Sequence, residues 1–210
     1  MYRADASCIN DLDESEQNLC LEYLEAKPLG LRFTFALYLE TGIRVSEGLS
    51  LTLGDAREAI KLKYPYLNVI TLKRKRPMKR KIPICKQSIH RNHHFSLYTI
   101  MRDWLNHRNK EPDCNALITH LGRYSRTPHP QKFIHRKNLH AAIKEVFKNV
   151  GVPDRRVHDL RHTFAINKLK NGMTLPVLQN LLGHYSLQST SVYVKPRMSD
   201  IFQQMGTPIK

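Results

Sequence analysis

The stretch Val157-His158-Asp159-Leu160-Arg161-His162-Thr163-Phe164-Ala165 decides how the chain is read. It opens a predicted helix over His158–Lys170, stopped by Gly172. On a helix, positions three and four apart share a face, so His158 and Arg161 point the same way and His162 lies near both. Alone, the cluster reads as a solvated basic helix face, or as a zinc site using His158, His162 and His184. The i,i+4 histidine pair suits zinc, but Arg161 repels a cation and no carboxylate ligand is in view. A lone anion-gripping helix face does not identify an activity, so the surroundings have to.

Downstream, Thr174 caps another predicted helix with Pro176 in its first turn, and Gly183 ends it. His184 follows directly and Tyr193 nine residues later. The tail Met198–Met205 reads as a last short helix. Upstream, Asn138–Val150 carries Leu139, Ile143, Val146, Phe147 and Val150 on one face and stops at Gly151, with Pro153 beyond. Arg123–Lys137 is basic, contains proline and reads as a loop. Phe95–His107 is an amphipathic helix with Leu97, Met101, Trp104 and Leu105 on its stripe, and Ala116–Thr119 reads as a short strand.

The pattern changes to β at Leu67–Leu72, LNVITL. A second run, Lys81–Cys85, follows a basic turn containing Pro77, and the two form a hairpin. A weaker preceding strand is placed at Leu51–Asp55 or Ala59–Leu62. At the front, Asp11, Asp13 or Ser15 caps a helix through Glu16–Ala26 with Leu19, Tyr23 and Leu24 facing inward. Pro28 and Gly30 break it, and Leu31–Glu40 is a strongly apolar helix closed by Gly42. Thr41-Gly-Ile-Arg44-Val-Ser-Glu47 follows and starts a short helix, with Glu47 one turn beyond Arg44. An exposed ion pair there contributes little. The expected fold is α+β, mainly helical with a small antiparallel sheet.

Bulk composition agrees with such a domain. The 210 residues are 41% hydrophobic and 25% charged, ordinary values for a globular protein with a real core. No apolar run is long enough to span a bilayer, and the first residues lack a signal peptide's apolar stretch, so no membrane partner and a cytoplasmic location are expected. Cys8, Cys20, Cys85 and Cys114 are dispersed and form no disulfide or zinc framework. Lys and Arg number 34 against 18 Asp and Glu, a net +16. That excess favours a polyanionic partner, because cationic side chains release counterions from nucleic-acid phosphates.

Order and spacing join these pieces. Arg44 comes first, then a basic hairpin, then His158-x-x-Arg161, then His184, then Tyr193. The constellation resembles the catalytic domain of tyrosine recombinases and phage integrases. The matching strings are TGIRVSEGLSL, KRKIPI after a hairpin turn, VHDLRHTFA, LQNLLGH and the tyrosine of SVYV. They run from about Ser15 to Tyr193, and several motifs in order are far more specific than any one.

The resemblance implies a site-specific recombinase that cleaves and rejoins double-stranded DNA through a 3′-phosphotyrosyl intermediate on Tyr193, with no metal, ATP or other cofactor. Arg44 and Arg161 are implied to grip the phosphate, since a planar guanidinium holds two oxygens at once. His184 is implied to donate to a phosphate oxygen. His158 takes the tyrosine proton or helps hold the phosphate, and Glu47 steadies the site behind them. The family's hairpin lysine protonates the leaving 5′-oxygen. The register eight residues ahead of Pro83 selects Lys75, with Lys73 as runner-up, and Lys73, Arg74, Arg76, Lys79 and Arg80 track DNA phosphates. The Arg-Pro-Met turn departs from the family's glycine-rich turn, and Gly48 replaces a bulky apolar residue. The chain further resembles the short recombinases of fimbrial switches. Residues 1–210 are therefore expected to be a single catalytic domain lacking the N-terminal clamp, although a piece of a longer integrase would look the same. Implied partners are a homotetramer on DNA, exchanging C-terminal tails through Ile201 and Phe202, and accessory DNA-bending proteins, all at a bacterial nucleoid.

Two other classes share these residues. A type IB topoisomerase would carry a lysine where His158 stands. A non-catalytic DNA-binding regulator would have no need of the whole set Arg44, Lys75, His158, Arg161, His184 and Tyr193.

Overall fold

The computed structural model describes residues 10–71, 77–87, 95–119, 121 and 133–194. Helices α1 (Glu14–Glu25), α2 (Leu29–Thr41), α3 (Val45–Leu49) and α4 (Leu53–Lys61) lead into strands β1 (Tyr66–Thr71) and β2 (Met78–Pro83). Helices α5 (Leu97–His107), α6 (Arg136–Asn149), α7 (Val157–Lys170), α8 (Leu175–Leu182) and α9 (Gln188–Ser191) follow, and a 3-10 turn at Val192–Val194 ends the described chain. This is the expected mainly helical α+β fold with a two-stranded antiparallel sheet. No described helix is long and apolar enough to cross a membrane.

Asp13 caps α1, accepting from the Glu16 amide at 2.8 Å while the Glu16 carboxylate accepts from the Asp13 amide at 3.0 Å, so both orphan amides of the first turn are satisfied. The buried stripe is Gln17, Cys20, Leu21 and Leu24. Leu19, expected inside, is 46% exposed, because it falls between the i, i+3, i+4 and i+7 positions of that stripe.

Helix α2 is buried on nearly every side, as its unbroken apolar run requires. Phe33 stacks on Trp104 of α5, and Phe35 meets Phe147 of α6 edge-on. Its last turn offers the buried Glu40, whose carboxylate accepts from the Leu97 amide at 2.9 Å and so closes the start of α5. Burial raises that carboxyl to about 8. Gly42 then turns left-handed at φ 60°, and a Cβ there would sit 2.4 Å from the Phe164 ring of α7. The glycine thus serves both the helix stop and the close packing of α7.

The weak third strand is absent from the described residues. Thr52 caps α4 with Asp55 in a reciprocal box, and Leu53, Ala56 and Ala59 form its buried face. Spacing by three is helical. The extended backbone survives only as an isolated bridge between Thr52 and Ala116, which also accounts for the short strand expected at Ala116–Thr119. Gly48 fits tightly beneath Tyr38, since a Cβ on it would approach the phenol oxygen to 2.5 Å. The tyrosine of α2 fills the space that a bulky residue at position 48 would occupy.

One large apolar cluster runs from Leu12 to Leu160, and a smaller one joins Phe164, Ala165, Leu178 and Leu182, with Tyr193 packed against it. Arg161 lies in sequence and in space between the two. Of the expected elements, the tail helix at Met198–Met205 lies outside the described residues. So do Lys73, Arg74, Lys75 and Arg76, and most of the Arg123–Lys137 loop. That loop ends earlier than expected, because His135 caps α6 through Nδ1, which accepts from the Lys137 amide at 3.2 Å.

Candidate active site

Arg44 is held at the start of α3, where its own amide donates to Glu47 Oε2 at 2.8 Å and its guanidinium to Glu47 Oε1 at 3.2 Å. The side chain stays one-fifth exposed. Glu47 is fully buried, and its principal partner comes from elsewhere. Arg80 of β2 grips it with both nitrogens, at 2.9 and 2.8 Å. Burial would raise the Glu47 carboxyl, but the hydrogen bonds and charges of Arg80 and Arg44 bring it below its ordinary value.

The placement of Arg80 corrects its reading as a phosphate tracker. In the hairpin register Val69 opposes Arg80 and Leu67 opposes Ile82, so Arg80 shares the inward face with Ile82. Its side chain is 3% exposed and also bonds Thr71 and, at 2.9 Å, the Leu181 carbonyl. Lys79 and Lys81 point the other way and are exposed; Lys79 faces solvent, and Lys81 lies over the Tyr66 ring.

Arg161, from the second turn of α7, is 2% exposed. It donates to the Gly42 carbonyl at 2.6 Å and to the Leu182 carbonyl at 2.7 Å. Arg44 reaches the same Leu182 oxygen at 3.4 Å. The left-handed turn at Gly42 aims one acceptor at Arg161 and the end of α8 aims the other. Among the described residues no carboxylate pairs with Arg161. Burial, with Arg44 nearby, lowers its guanidinium to about 10.

Gly183 closes α8 at φ 64°, where a Cβ would sit 2.9 Å from Arg80 and 3.0 Å from Thr71, and this turn delivers His184. Its Nε2 lies 2.9 Å from an Arg161 nitrogen and its Nδ1 2.8 Å from Thr190 Oγ1. A guanidinium only donates, so Nε2 accepts and the proton sits on Nδ1, directed at Thr190. Burial and the charges of Arg161, Arg44 and Arg80 lower His184 to about 4, which keeps the ring neutral. In this arrangement the histidine expected to donate to a phosphate is instead an acceptor for Arg161.

Tyr193 arrives on the 3-10 turn behind α9. Its ring lies parallel to His184, 6.3 Å between centroids. Its hydroxyl is 3.1 Å from Nδ1 of His162. Burial raises the phenol's pKa, and Arg161 and Arg44 partly offset that. His158 packs edge-on against His162, with centroids 4.6 Å apart, and its ring is exposed. Partial desolvation, His162 and Arg161 lower it to about 4. The structure thus brings Arg44, His158, Arg161, His184 and Tyr193 together, with Glu47 behind. It adds two residues that sequence reasoning had not placed there, Arg80 at Glu47 and His162 at the tyrosine hydroxyl.

Two guanidiniums therefore share one carboxylate, and a third, Arg161, has none, beside a half-buried tyrosine: a pocket with surplus positive charge. Such a pocket suits an anion that gains charge as it reacts.

Comparison with known proteins supports the same reading. The sequence pattern of the phage integrase family matches residues 10–200. A tyrosine recombinase XerD of Lacticaseibacillus casei is 32% identical over 178 residues, covering 80% of this chain and 51% of that protein. The chain spans about half the length of the curated relatives it matches. The crystal structure of XerA recombinase superimposes with a TM-score of 0.72 at 19% identity, over 99% of this chain and 67% of that one. A XerH site-specific recombinase bound to its palindromic difH substrate after cleavage gives 0.67 at 17% identity, over 94% and 53%. By the family pattern, which takes in residues 10–200, the chain belongs to the phage integrase family of tyrosine recombinases.

Proposed function

We propose that the protein is a site-specific DNA recombinase that cuts and rejoins strands through a 3′-phosphotyrosyl bond to Tyr193, using its own site. The observation that carries this is Arg161, a buried guanidinium with no carboxylate partner among the described residues, opening beside the Tyr193 hydroxyl. A phosphodiester is the matching ligand: it is anionic, and its oxygens gather charge as phosphorus becomes pentacoordinate.

Arg44 and Arg161 hold the two non-bridging oxygens. An incoming oxygen takes over the Arg161 nitrogen that now faces His184; the proton of the neutral ring then moves from Nδ1 to Nε2, so that Nε2 donates to the phosphate while Nδ1 accepts from the Thr190 hydroxyl. His158, exposed at the mouth, contributes a further hydrogen bond. Lys75 of the hairpin serves as the acid for the departing 5′-oxygen. The phosphoryl bond is kept on Tyr193, so rejoining needs no ATP. Lys73, Arg74, Arg76 and Lys79 follow the DNA backbone.

The names of the structural relatives support double-stranded DNA as the partner. We extend this to a tetramer on DNA working at the nucleoid, with Ile201 and Phe202 docking on a neighbouring subunit. The described residues then act as a single catalytic domain. The test is covalent capture on nicked suicide duplexes. Wild type accumulates an adduct and Tyr193→Phe binds but forms none. An adduct from Tyr193→Phe sinks the assignment.

A further inference from the structure

We propose that His162 is the proton acceptor for Tyr193, leaving His158 to the phosphate; this rests on the recombinase reading above. Family resemblance gives His158 either the tyrosine proton or a hold on the phosphate. The geometry favours its neighbour one helical turn on.

His162 Nδ1 lies 3.1 Å from the Tyr193 hydroxyl, within direct transfer distance. The rings tilt at 54°, which lets the hydroxyl meet the edge of the imidazole rather than its face. Among the described residues His158 makes no hydrogen bond to Tyr193, and its ring packs at 84° against that of His162. His184, the other nearby imidazole, stacks parallel to the phenol, and both its nitrogens are engaged by Arg161 and Thr190. Arg161 has no lone pair to give. By elimination among the groups that face Tyr193, His162 is the one positioned as a base.

Its surroundings keep it competent. The charged and titratable groups around it are His158 and Arg161 on α7 and Tyr193 on the 3-10 turn, with Arg44 and His184 in the same pocket. Burial and Arg161 hold its pKa below the ordinary histidine value. The ring is therefore neutral at physiological pH, with Nδ1 able to accept once the proton sits on Nε2.

The step balances. The Tyr193 O–H bond breaks and its proton passes to His162 while the phenol oxygen bonds phosphorus. The P–O5′ bond breaks, and the departing oxygen takes a proton from the hairpin lysine ammonium. Rejoining is the reverse: the 5′-hydroxyl attacks phosphorus, returns a proton to the lysine amine, and the departing phenolate recovers its own from His162. The imidazolium appears when the phosphate is most negative, so the developing charges are opposite.

Two measurements test this on the whole chain. Nitrogen-15 NMR of the histidine side chains should show His162 with a bare Nδ1 and a protonated Nε2, and Tyr193→Phe should shift that Nδ1 resonance. A proton on Nδ1 overturns the proposal, since that nitrogen could then accept nothing. For kinetics, host-genome fragments captured covalently by the wild type are rebuilt as nicked duplexes. His162→Gln, which can accept a hydrogen bond but not a proton, should slow adduct formation about 100-fold or more and flatten the acid limb of the pH profile, with DNA binding unchanged. His158→Asn should slow the reaction but keep that limb. Full activity in His162→Gln would mean that the side chain only positions the tyrosine, and the proposal fails while the recombinase reading stands. A wild type that captures no fragment overturns both.

Discussion

Arg80 and Arg161 are both buried, 6% and 2% exposed, and their partners differ in kind. Arg80 meets Glu47 through a two-pronged ion pair. Arg161 meets two carbonyls and a neutral imidazole. The first charge is spent inside the protein and ties β2 to α3 and, through the Leu181 carbonyl, to α8. The second is screened by dipoles but not neutralised, and burial works against it, as its lowered pKa records. The contrast teaches how to tell a structural arginine from a ligand-binding one when both are hidden: the presence or absence of a carboxylate decides.

Breaking each side of the comparison gives different losses. Arg80→Met removes the two-pronged partner of the buried Glu47 carboxylate and leaves it only Arg44, and removing one partner of a buried pair costs about 3–5 kcal/mol. Denaturant midpoints should fall accordingly. Arg161→Met orphans no carboxylate and should fall clearly less, so equal losses would erase the distinction. On the functional side, Arg161→Lys replaces a fork with a point charge and should slow adduct formation about 10²–10³-fold, the scale of losing one preorganised donor. A rate near wild type would show that Arg44 alone suffices. The smallest effect is next door to Arg80. Lys79→Ala, on the outer face of the same strand, should leave stability within about 0.5 kcal/mol. It should lower the slope of log affinity against log salt by about 1. A loss of stability there would mean that the two faces of β2 are not separated as the register says.

Much of the site was legible in the sequence because order and helical spacing survive in one dimension. Arg44, His158, Arg161, His184 and Tyr193 meet as the motifs imply. Arg80 was misread among the basic hairpin residues, although the alternation with Ile82 already placed it on the inner face. His162 was weighed only as a metal ligand or a basic face residue. Helical spacing names neighbours along α7, and no local pattern brings Tyr193 to it from 31 residues away. The third strand was placed at Leu51–Asp55 or Ala59–Leu62, yet Thr52 and Asp55, three residues apart, carry the cap of a helix that reaches into both. Gly48 made sense only against Tyr38, ten residues earlier. Lys75, chosen by register over Lys73, falls outside the described residues, as Lys73 does.

The carbonyl of Leu182 accepts from both Arg161 and Arg44, and His184 follows it by two residues. One peptide group at the end of α8 thus serves as a common hinge pin for the Arg161 and Arg44 guanidiniums and carries the neighbouring histidine with it. A displacement of that helix end by a fraction of a hydrogen-bond length changes all three side chains in concert, so the site assembles or disperses as a unit rather than one residue at a time.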